Sequence, residues 1–282
     1  MPDMPTVLSI QSWVACGTVG NSAALFALQR LGCETWSLNT VAFSNHTGHG
    51  RWRGHAVPTQ LIASLFEGIA ELGVLARCDA VLSGYLGAAE VGPVLLDIVA
   101  RVKAANPRAL FCCDPVMGDF GPGWYVRAGL PEVYRDQAVA VADIATPNRF
   151  ELEWLVGRSI GTPAEAATAA GLLRRWGPQI VLVTSLEPAA DRVAALAAGP
   201  DGVWVAETPR LPIEATGCGD AAAALFLAWL LKGNPMVEAL AATMAALWGV
   251  IEATIAAGGE LALVAAQDEL ISPGRVVRPW QV

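Results

Sequence analysis

The stretch EATGCGDAAAALFLAWLL, residues 214–231, places an acid and two glycines at the start of a helix-like run. Gly217 and Gly219 carry no side chains, so the backbone N–H groups around them can approach a ligand closely. Unpaired N–H groups at the start of a helix bind anions. Asp220 follows directly, and a carboxylate beside an anion site can accept a proton. An acid in a first helical turn is also explained by the helix dipole alone.

These residue types match what phosphoryl transfer to an alcohol requires. The developing negative charge needs hydrogen-bond donors, which the backbone of residues 217–219 would supply. The attacking hydroxyl needs a base, and Asp220 would take its proton. The sequence has no G-x-x-x-x-G-K-[ST] motif, so a P-loop enzyme is not expected. Its two lysines, Lys103 and Lys232, lie outside glycine-rich loops, and neither has the setting of a Schiff-base lysine.

Short apolar runs alternate with helix-like runs along the chain. The runs typical of strands are TVLSI, CETWSLN, AVLSGY, ALFCCD, DIATPN and QIVLVTS. Helices are predicted over residues 21–31, 58–73, 91–106 and 162–176, the last with Thr162 as its N-cap. RVAALAA and GVWVAE predict a hairpin, and two helices follow it. The alternation predicts a three-layer α/β/α fold with a mostly parallel central sheet, as a single domain over residues 1–282.

Polar residues stand where several of these strands end. They are Ser12, Ser83, Tyr85, Asp114, Asn148, Thr184 and Ser185. In an open parallel sheet, ligands bind beyond the carboxyl ends of the strands, so these side chains are expected to face one crevice. Each has a structural explanation when taken alone. Ser12 and Ser83 can cap strand ends, Asn148 can be a turn residue and Glu151 an early helix acid. Asp114 is harder to explain in this way, because a buried acid needs a partner.

Composition excludes several classes of protein. The formal net charge is −8 and the pI is about 4.9, which argues against nonspecific binding to nucleic acid or anionic membranes. Residues 236–257 are mostly apolar, but Glu238 and Glu252 interrupt them, and a buried helix explains the run better than a membrane span. No signal peptide is evident at the N-terminus. The six cysteines show no metal-binding spacing, so a cytoplasmic protein with free thiols is expected.

Several motifs resemble those of the ribokinase superfamily. TGCGD, residues 216–220, resembles its T-G-x-G-D anion-hole motif, and PNRFE, residues 147–151, resembles its N-x-x-E motif. CDPVMGD resembles the D-P-V-x-G segment of the vitamin-kinase branch. SIQSWVACGTVGNSAA, LNTVAFSNHTGHGRWRG, DAVLSGYLG and VAAQD are similar to the pyridoxal kinases in particular. The resemblance covers essentially the whole chain, in order, and implies a ribokinase-like fold with a small flap over the active site.

The resemblance implies ATP-dependent phosphorylation of the 5′-hydroxymethyl group of pyridoxal, pyridoxine or pyridoxamine in vitamin B6 salvage. It assigns Asp220 as the general base and Gly217, Cys218 and Gly219 as the anion hole. The implied vitamin contacts, besides Asp220, are Ser12, Thr47 and Tyr85. The implied ATP contacts are Asp114, Asn148, Glu151, Thr184, Ser185, Thr216, Gly219 and Tyr125. Mg²⁺ would be held by Asp114, Asp119 and Glu151, partly through water. Many members also use potassium and form homodimers.

Three residues depart from the family pattern. Cys218 stands where these kinases often carry Thr or Val, which removes a hydroxyl and leads us to hypothesise thiol-sensitive activity. Trp13 replaces a His that commonly follows the vitamin-contacting Ser, and Cys16 replaces a Tyr. Both lie near the expected vitamin site, so they leave the preferred vitamer open.

Three alternative interpretations remain at this point. A neighbouring branch phosphorylates hydroxymethylpyrimidine, although its Gly-rich N-terminal pattern is absent here. A protein that binds pyridoxal without catalysis would need neither a base nor a magnesium shell. His46, His49 and His55 suggest a metal cluster, but they lie in a Gly-rich segment without the helical spacing of catalytic zinc ligands, and a flap over the substrate explains them better.

Overall fold

A computed structural model describes residues 4–213 and 215–282. Its strands, numbered in chain order, are β1 (Thr6–Val14), β2 (Glu34–Phe43), β3 (Gly54–Ala56), β4 (Ala80–Ser83), β5 (Leu110–Cys113), β6 (Gly118–Asp119), β7 (Gly123–Trp124), β8 (Ile144–Ala145), β9 (Ile180–Ala189), β10 (Arg192–Gly199), β11 (Gly202–Pro209) and β12 (Trp280–Gln281). The predicted strands are all present, and the hairpin predicted from RVAALAA and GVWVAE is β10–β11.

The helices lie between these strands and after them. They are α1 (Asn21–Arg30), α2 (Thr59–Glu71), α3 (Val91–Ala105), α4 (Leu130–Val133), α5 (Val139–Val141), α6 (Arg149–Val156), α7 (Pro163–Arg174), α8 (Cys218–Leu231), α9 (Met236–Ala257) and α10 (Gln267–Ile271). A π-helical turn, Tyr134–Ala138, joins α4 to α5. Thr162 caps α7 by accepting a hydrogen bond from the Glu165 N–H, which confirms the predicted helix start.

Ten strands form one sheet in the order β12-β11-β10-β9-β8-β5-β4-β1-β2-β3. Neighbouring strands are parallel along the run β9-β8-β5-β4-β1-β2. Outside this run the neighbours are antiparallel, on one side from β9 to β12 and on the other between β2 and β3. β6 and β7 form a separate two-stranded hairpin. The parallel part brings the ends of β1, β4, β5 and β8 to the same edge of the sheet, and Ser83, Tyr85, Asp114 and Asn148 stand at or just after such ends. Ser12, Thr184 and Ser185 were expected to follow strands but lie within them, because β1 continues to Val14 and β9 to Ala189.

Helices cover both faces of the sheet, because successive strand residues point to opposite sides. In β1, Leu8 and Ile10 pack into one core with α2, α3, α6 and α7. Val7 between them points into the other core, with α1, α8, α9 and α10. The predicted three-layer arrangement is therefore confirmed. Among the described residues, α9 is the one helix long and apolar enough to cross a membrane, and it packs against α8, β10 and β11 as a core helix.

Candidate active site

The start of α8 is shaped by a glycine that no other residue can replace without movement. Gly217 caps the helix with a φ of 94°, and a Cβ there would lie 1.9 Å from the Thr18 carbonyl oxygen. The N–H groups of Cys218 and Gly219 follow in the first turn, where a helix offers them no internal acceptor. A Cβ on Gly219 would meet nothing within 4 Å. The anion site predicted from TGCGD is therefore a tight turn with open space beside it.

Asp220 lies in this first turn, and burial raises the pKa of its carboxyl from 3.8 to about 6. The Gly20 N–H and the N–H of Asp220 itself hydrogen-bond to the carboxylate and lower the pKa in part. Gly20 has a φ of 54°, and a Cβ there would lie 2.2 Å from the Ser12 Oγ. The loop after β1 therefore connects two predicted site residues: it packs on Ser12 and donates a hydrogen bond to Asp220.

A second acid lies beside the first. Asp114 follows β5 and is 6% exposed, and burial, followed by the charges of Glu151 and Asp220, raises the pKa of its carboxyl well above its usual range. The nearby Thr146 hydroxyl partly opposes this shift. The charges of Glu151 and Asp220 both act on Asp114, and we call these three acids, which come from the end of β5, from α6 and from α8, the carboxylate cluster.

Glu151 and Asn148 form a capping box at the start of α6. The Asn148 Oδ1 accepts a hydrogen bond from the Glu151 N–H at 2.9 Å, and the Glu151 Oε2 accepts one from the Asn148 N–H at 2.9 Å. The other carboxylate oxygen, Oε1, accepts one from the Met117 N–H at 2.8 Å. Burial nevertheless raises the pKa of Glu151 to about 8. Since both oxygens already accept backbone hydrogen bonds, Glu151 is suited to contact a metal through water.

The hairpin β6–β7 carries the next predicted residues to the same place. The Asn148 Nδ2 donates a hydrogen bond to the Gly118 carbonyl at 2.8 Å, which ties the hairpin to α6. Asp119 is in β6, and its Oδ1 accepts a hydrogen bond from the Phe120 N–H. Tyr125 follows β7. Tyr125 is 47% exposed, and partial burial, followed by the charges of Glu151, Asp119, Asp114 and Asp220, raises its pKa.

Thr184 and Ser185 lie in β9 beside Asn148. Thr184 forms an isolated parallel bridge with Asn148, and its N–H donates to the Pro147 carbonyl at 3.1 Å. Ser185 has a φ of 57° and is the one non-glycine residue with a positive φ in the described part of the chain. Such strain persists where surrounding structure enforces it, and it concentrates at functional sites. Thr216 is exposed, one residue before the turn at Gly217.

The residues predicted to contact the vitamin are spread more widely. Ser12 is buried near the end of β1, and Tyr85 is partly buried two residues after β4, where its carbonyl accepts a hydrogen bond from the Thr40 Oγ1 at 2.7 Å. Thr47 is exposed and begins a short 3₁₀ turn, Thr47–His49, in the segment between β2 and β3, the flap. Thr47 is therefore not part of the carboxylate cluster.

The three histidines lie in or at the end of the flap, and two of them make side-chain contacts there. His46 caps the 3₁₀ turn by accepting a hydrogen bond from the Gly48 N–H at 3.2 Å. The His49 Nε2 lies 2.8 Å from the Glu260 Oε1, on the loop after α9. This contact joins the flap to the loop after α9. His55 is exposed in β3.

Trp13 and Cys16, the two departures from the family pattern near the expected vitamin contacts, are both exposed. Trp13 is 38% exposed in β1, and Cys16 lies just after that strand, where its N–H donates to the Ser44 carbonyl at 2.9 Å. Cys218 is different, because it is partly buried and burial raises its pKa to about 12. A thiol with so high a pKa is protonated and poorly nucleophilic at neutral pH. The raised pKa therefore predicts slow reaction of Cys218 with thiol reagents, and thiol-sensitive activity stays a hypothesis.

The acids fit a magnesium ion that is held mainly by substrate phosphates and water. Within residues 4–213 and 215–282, no three His, Cys, Asp or Glu side chains group together to hold a metal alone. Mg²⁺ usually takes one or two carboxylates with phosphates and waters. Asp114 suits this role, because burial and the charges of Glu151 and Asp220 raise its pKa and a cation would offset both effects.

A buried polar network under the vitamin side was missed by the sequence analysis. Asn21 is fully buried at the start of α1. Its Oδ1 accepts a hydrogen bond from the Ser9 Oγ at 2.7 Å, and its Nδ2 donates to the Asn39 Oδ1 at 2.8 Å. The Gln11 Nε2 donates to the Ser9 Oγ at 2.9 Å. The network fixes β1 against β2 just before Ser12. A signal was present, since Asn21 is a polar residue at the start of a helix of small apolar residues.

The chain is similar to known proteins over nearly its whole length. The model of the family described as phosphomethylpyrimidine kinase matches residues 15–264. The chain is 52% identical over 272 residues to the pyridoxal kinase PdxY of Rubrobacter xylanophilus, covering 95% of this chain and 94% of that protein. It is 49% identical to that of Granulibacter bethesdensis, with 95% and 96% covered.

Solved structures show the same fold. The pyridoxal kinase of Leishmania donovani in complex with ADP and pyridoxamine superimposes with a TM-score of 0.91 at 32% identity, covering 98% of this chain and 99% of that chain. A phosphomethylpyrimidine kinase-like protein of Bacteroides thetaiotaomicron, 23% identical, shares the fold with a TM-score of 0.91. The ribokinase-like fold expected from the motifs is thus confirmed. The chain belongs to the phosphomethylpyrimidine kinase family and, within it, to the pyridoxal kinases.

Proposed function

We propose that this chain transfers the γ-phosphoryl group of ATP to the 5′-hydroxyl of pyridoxal, and of pyridoxine and pyridoxamine, with Asp220 as the general base. The observation that carries the proposal is Asp220 itself. It lies at the start of α8 beside the turn at Gly217, with a pKa raised to about 6. The identity to pyridoxal kinases over nearly the whole chain supports the substrate class.

Different residues of the chain would bind the vitamin, accept the proton and contact the transferring phosphoryl group. The vitamin would be held by Ser12, Thr47 and Tyr85, with its 5′-hydroxyl toward Asp220. As the hydroxyl oxygen bonds to the γ-phosphorus, Asp220 takes its proton, and the bond to the bridging oxygen breaks to release ADP. The backbone N–H groups of Cys218 and Gly219 would donate to the transferring phosphoryl oxygens.

A separate group of residues would form the binding site for ATP. Thr184, Ser185 and Thr216 would donate hydroxyl hydrogen bonds to phosphates, and Asn148 and Tyr125 would line the same site. Mg²⁺, when bound through Asp114, Asp119 and water-linked Glu151, would neutralise the charge of the phosphates. In support, the charges of all three acids contribute, after burial, to the raised pKa of Tyr125.

Three further properties belong to the proposal. We infer a homodimer, a requirement for potassium and a cytoplasmic location for one domain over residues 1–282, all from the resemblance to pyridoxal kinases. Leu61, Leu65 and Leu72 on one side of α2 and just after it are about half exposed or more, which supports a contact surface there. Light scattering would give the mass in solution, and turnover with and without potassium would test the cation.

The first experiment measures ADP release from Mg·ATP with pyridoxal, pyridoxine, pyridoxamine and hydroxymethylpyrimidine in parallel. We expect turnover on the B6 vitamers, and a loss of about 10²-fold or more in Asp220→Asn with little change in substrate binding. Turnover should fall below about pH 6, because Asp220 must be unprotonated to act as the base. Asp268→Asn, a change at an exposed acid, is the control.

Three outcomes would overturn the proposal in whole or in part. Turnover on the pyrimidine alone would keep the fold and the base but assign the chain to hydroxymethylpyrimidine phosphorylation. Binding of pyridoxal without turnover of any of the four compounds would make the chain a vitamin-binding protein. Near-normal turnover in Asp220→Asn would remove Asp220 from the role of base.

A further inference from the structure

Aromatic rings join the β6–β7 hairpin to α6. The Phe120 and Phe150 rings meet edge to face with centroids 5.5 Å apart. The Trp124 ring meets Phe150 at 5.2 Å and Trp154 at 5.4 Å, again edge to face. We call these four residues the aromatic column. Two of them belong to residues 118–124 and two to α6, so the column fixes the hairpin to the helix. Edge-to-face pairs stabilise beyond the area that they bury.

Arg149 extends the column at the end of the hairpin. The carbon of its guanidinium group lies 4.2 Å from the centroid of the Phe120 ring. Arg149 is the first residue of α6, directly after the cap residue Asn148. A positive charge at a helix N-terminus is unfavourable, because it opposes the helix dipole, so the stability of α6 does not explain an arginine there. A contact with the hairpin does explain it.

The surroundings of Arg149 strengthen this contact. Its Nε is buried and has no hydrogen-bond partner among the described residues. The side chain also lines a narrow crevice with Thr162, Leu186 and Glu187. A guanidinium group shielded from water interacts more strongly with an aromatic face than an exposed one does.

The hairpin has little freedom to shift against the column. A Cβ on Gly118 would lie 2.5 Å from the Phe150 Cε1 and 2.7 Å from the Gly123 carbonyl oxygen, so the backbone is pressed against the ring. The hairpin contains Asp119 and leads directly into Tyr125. The position of the aromatic column therefore sets the position of these two residues.

We propose that Arg149 is a positioning residue, which holds the β6–β7 hairpin over the nucleotide side of the site through Phe120 before ATP binds. The proposal rests on the proposed function, because that function assigns Asp119 and Tyr125 to ATP and its metal. A loose hairpin would lose conformational freedom when ATP binds, which would weaken binding. The column orders the hairpin in advance. Arg149 itself does not touch the reacting atoms.

The test combines kinetics with hydrogen exchange on the nucleotide-free protein. We expect Arg149→Ala to raise KM for ATP about fivefold, with kcat and KM for pyridoxal changed less than about twofold. Amide exchange in residues 118–125 should become faster. Arg149→Lys keeps the charge but not the planar group and should give a smaller effect. Phe120→Leu also removes the ring contact with Phe150, so its effect should be at least as large as that of Arg149→Ala. The double variant should be no worse than Phe120→Leu alone, because both changes break the contact between Arg149 and Phe120.

Arg101→Ala is the matched control. The carbon of the Arg101 guanidinium lies 4.8 Å from the Phe66 ring, on α3 and α2, so the variant removes a similar pair that does not touch the hairpin. It should leave KM for ATP unchanged.

Three results would overturn the proposal: unchanged KM for ATP and unchanged hairpin exchange in Arg149→Ala, additive effects in the double variant, or an equal loss in all kinetic parameters with a lower Tm. If the unmodified protein phosphorylates no vitamer, the proposed function fails, and the exchange rates still decide whether Arg149 holds the hairpin.

Discussion

Gly217 and Gly219 stand two residues apart, and a side chain would meet different surroundings at each. At Gly217 the backbone has a φ of 94°, and a Cβ would collide with the Thr18 carbonyl oxygen. At Gly219 a Cβ would meet no protein atom within 4 Å. The first glycine is therefore required by the fold. The second leaves open the space that a phosphoryl group would use, so its absence of a side chain matters only when ligand is bound.

Alanine at each glycine should separate these two roles. Gly217→Ala should lower the free energy of unfolding by about 1–3 kcal/mol, because it forces strain at a positive φ and moves the loop that donates to Asp220. Gly219→Ala should leave that free energy within about 0.5 kcal/mol but lower kcat/KM for ATP about tenfold or more, because the methyl group occupies the phosphate space. Urea unfolding and steady-state kinetics measure both. Full activity in Gly219→Ala would show that phosphate does not approach this residue.

Cys218 should react slowly with alkylating reagents, although it lies in the predicted anion site at the start of α8. Burial raises its pKa to about 12, and the thiolate is the reactive form. Exposed Cys16 provides the comparison within the same molecule. Brief treatment with iodoacetamide at neutral pH, followed by peptide mass spectrometry, should label Cys16 well before Cys218. Rapid labelling of Cys218 with parallel loss of activity would contradict this prediction and support the hypothesis of thiol-sensitive catalysis.

At the scale of the element, α6 and α7 start with similar caps that have different neighbours. Asn148 and Thr162 each accept a hydrogen bond from the N–H three residues later. The Asn148 amide also donates to the Gly118 carbonyl in the hairpin, whereas the Thr162 hydroxyl bonds only within its own helix start, to Glu165. Helix capping alone is thus common to both, and contact with the site belongs to Asn148.

Replacing each cap should reveal this difference. Thr162→Ala and Asn148→Ala should each cost about 1 kcal/mol of stability, the usual value of a lost N-cap. Only Asn148→Ala should also raise KM for ATP. Asn148→Ser should recover the stability, because Ser caps helices, but not the KM, because its short hydroxyl cannot reach Gly118. A normal KM in Asn148→Ser would separate the hairpin contact from nucleotide binding.

The sequence predicted the elements well and the contacts between them less well. Thr162 was identifiable because its cap and the helix that it starts are adjacent in the chain. The sequence did not show that both carboxylate oxygens of Glu151 accept backbone hydrogen bonds, because one of the donors, the Met117 N–H, lies 34 residues away in the chain. The Gly20 N–H that reaches Asp220 was missed for the same reason. DIATPN gives only the two-residue strand β8, since the chain turns at Pro147 to place Asn148 at the start of α6.

At the scale of the whole molecule, the sheet brings together acids that repel one another. Asp114 comes from the end of β5, Glu151 from α6 and Asp220 from α8, and burial raises the pKa of each. A fold that only needed stability would not bury Asp114 and Glu151 beside the partly exposed Asp220. The cluster therefore has an energetic cost that the remaining core offsets, and a bound cation would relieve it.

This cluster should make the ligand-free protein less stable as the pH rises. The pKa of Glu151 is about 8 in the folded chain and 4.5 in the unfolded chain, so between these values the folded state holds more protons. The free energy of unfolding then falls as pH rises, with the loss complete above about pH 8. Burial lowers the pKa of His46, which has the opposite effect only near and below pH 6.5. Burial also raises the pKa of Cys33, Cys78 and Cys218 above the ordinary value of 9.0, so these thiols add a loss of stability as the pH approaches that value. Urea unfolding between about pH 7 and pH 8 therefore reports mainly on the carboxylates, and Glu151→Gln, which can still cap α6, should flatten the slope. An equal slope in both proteins would show that Glu151 is already ionised at neutral pH.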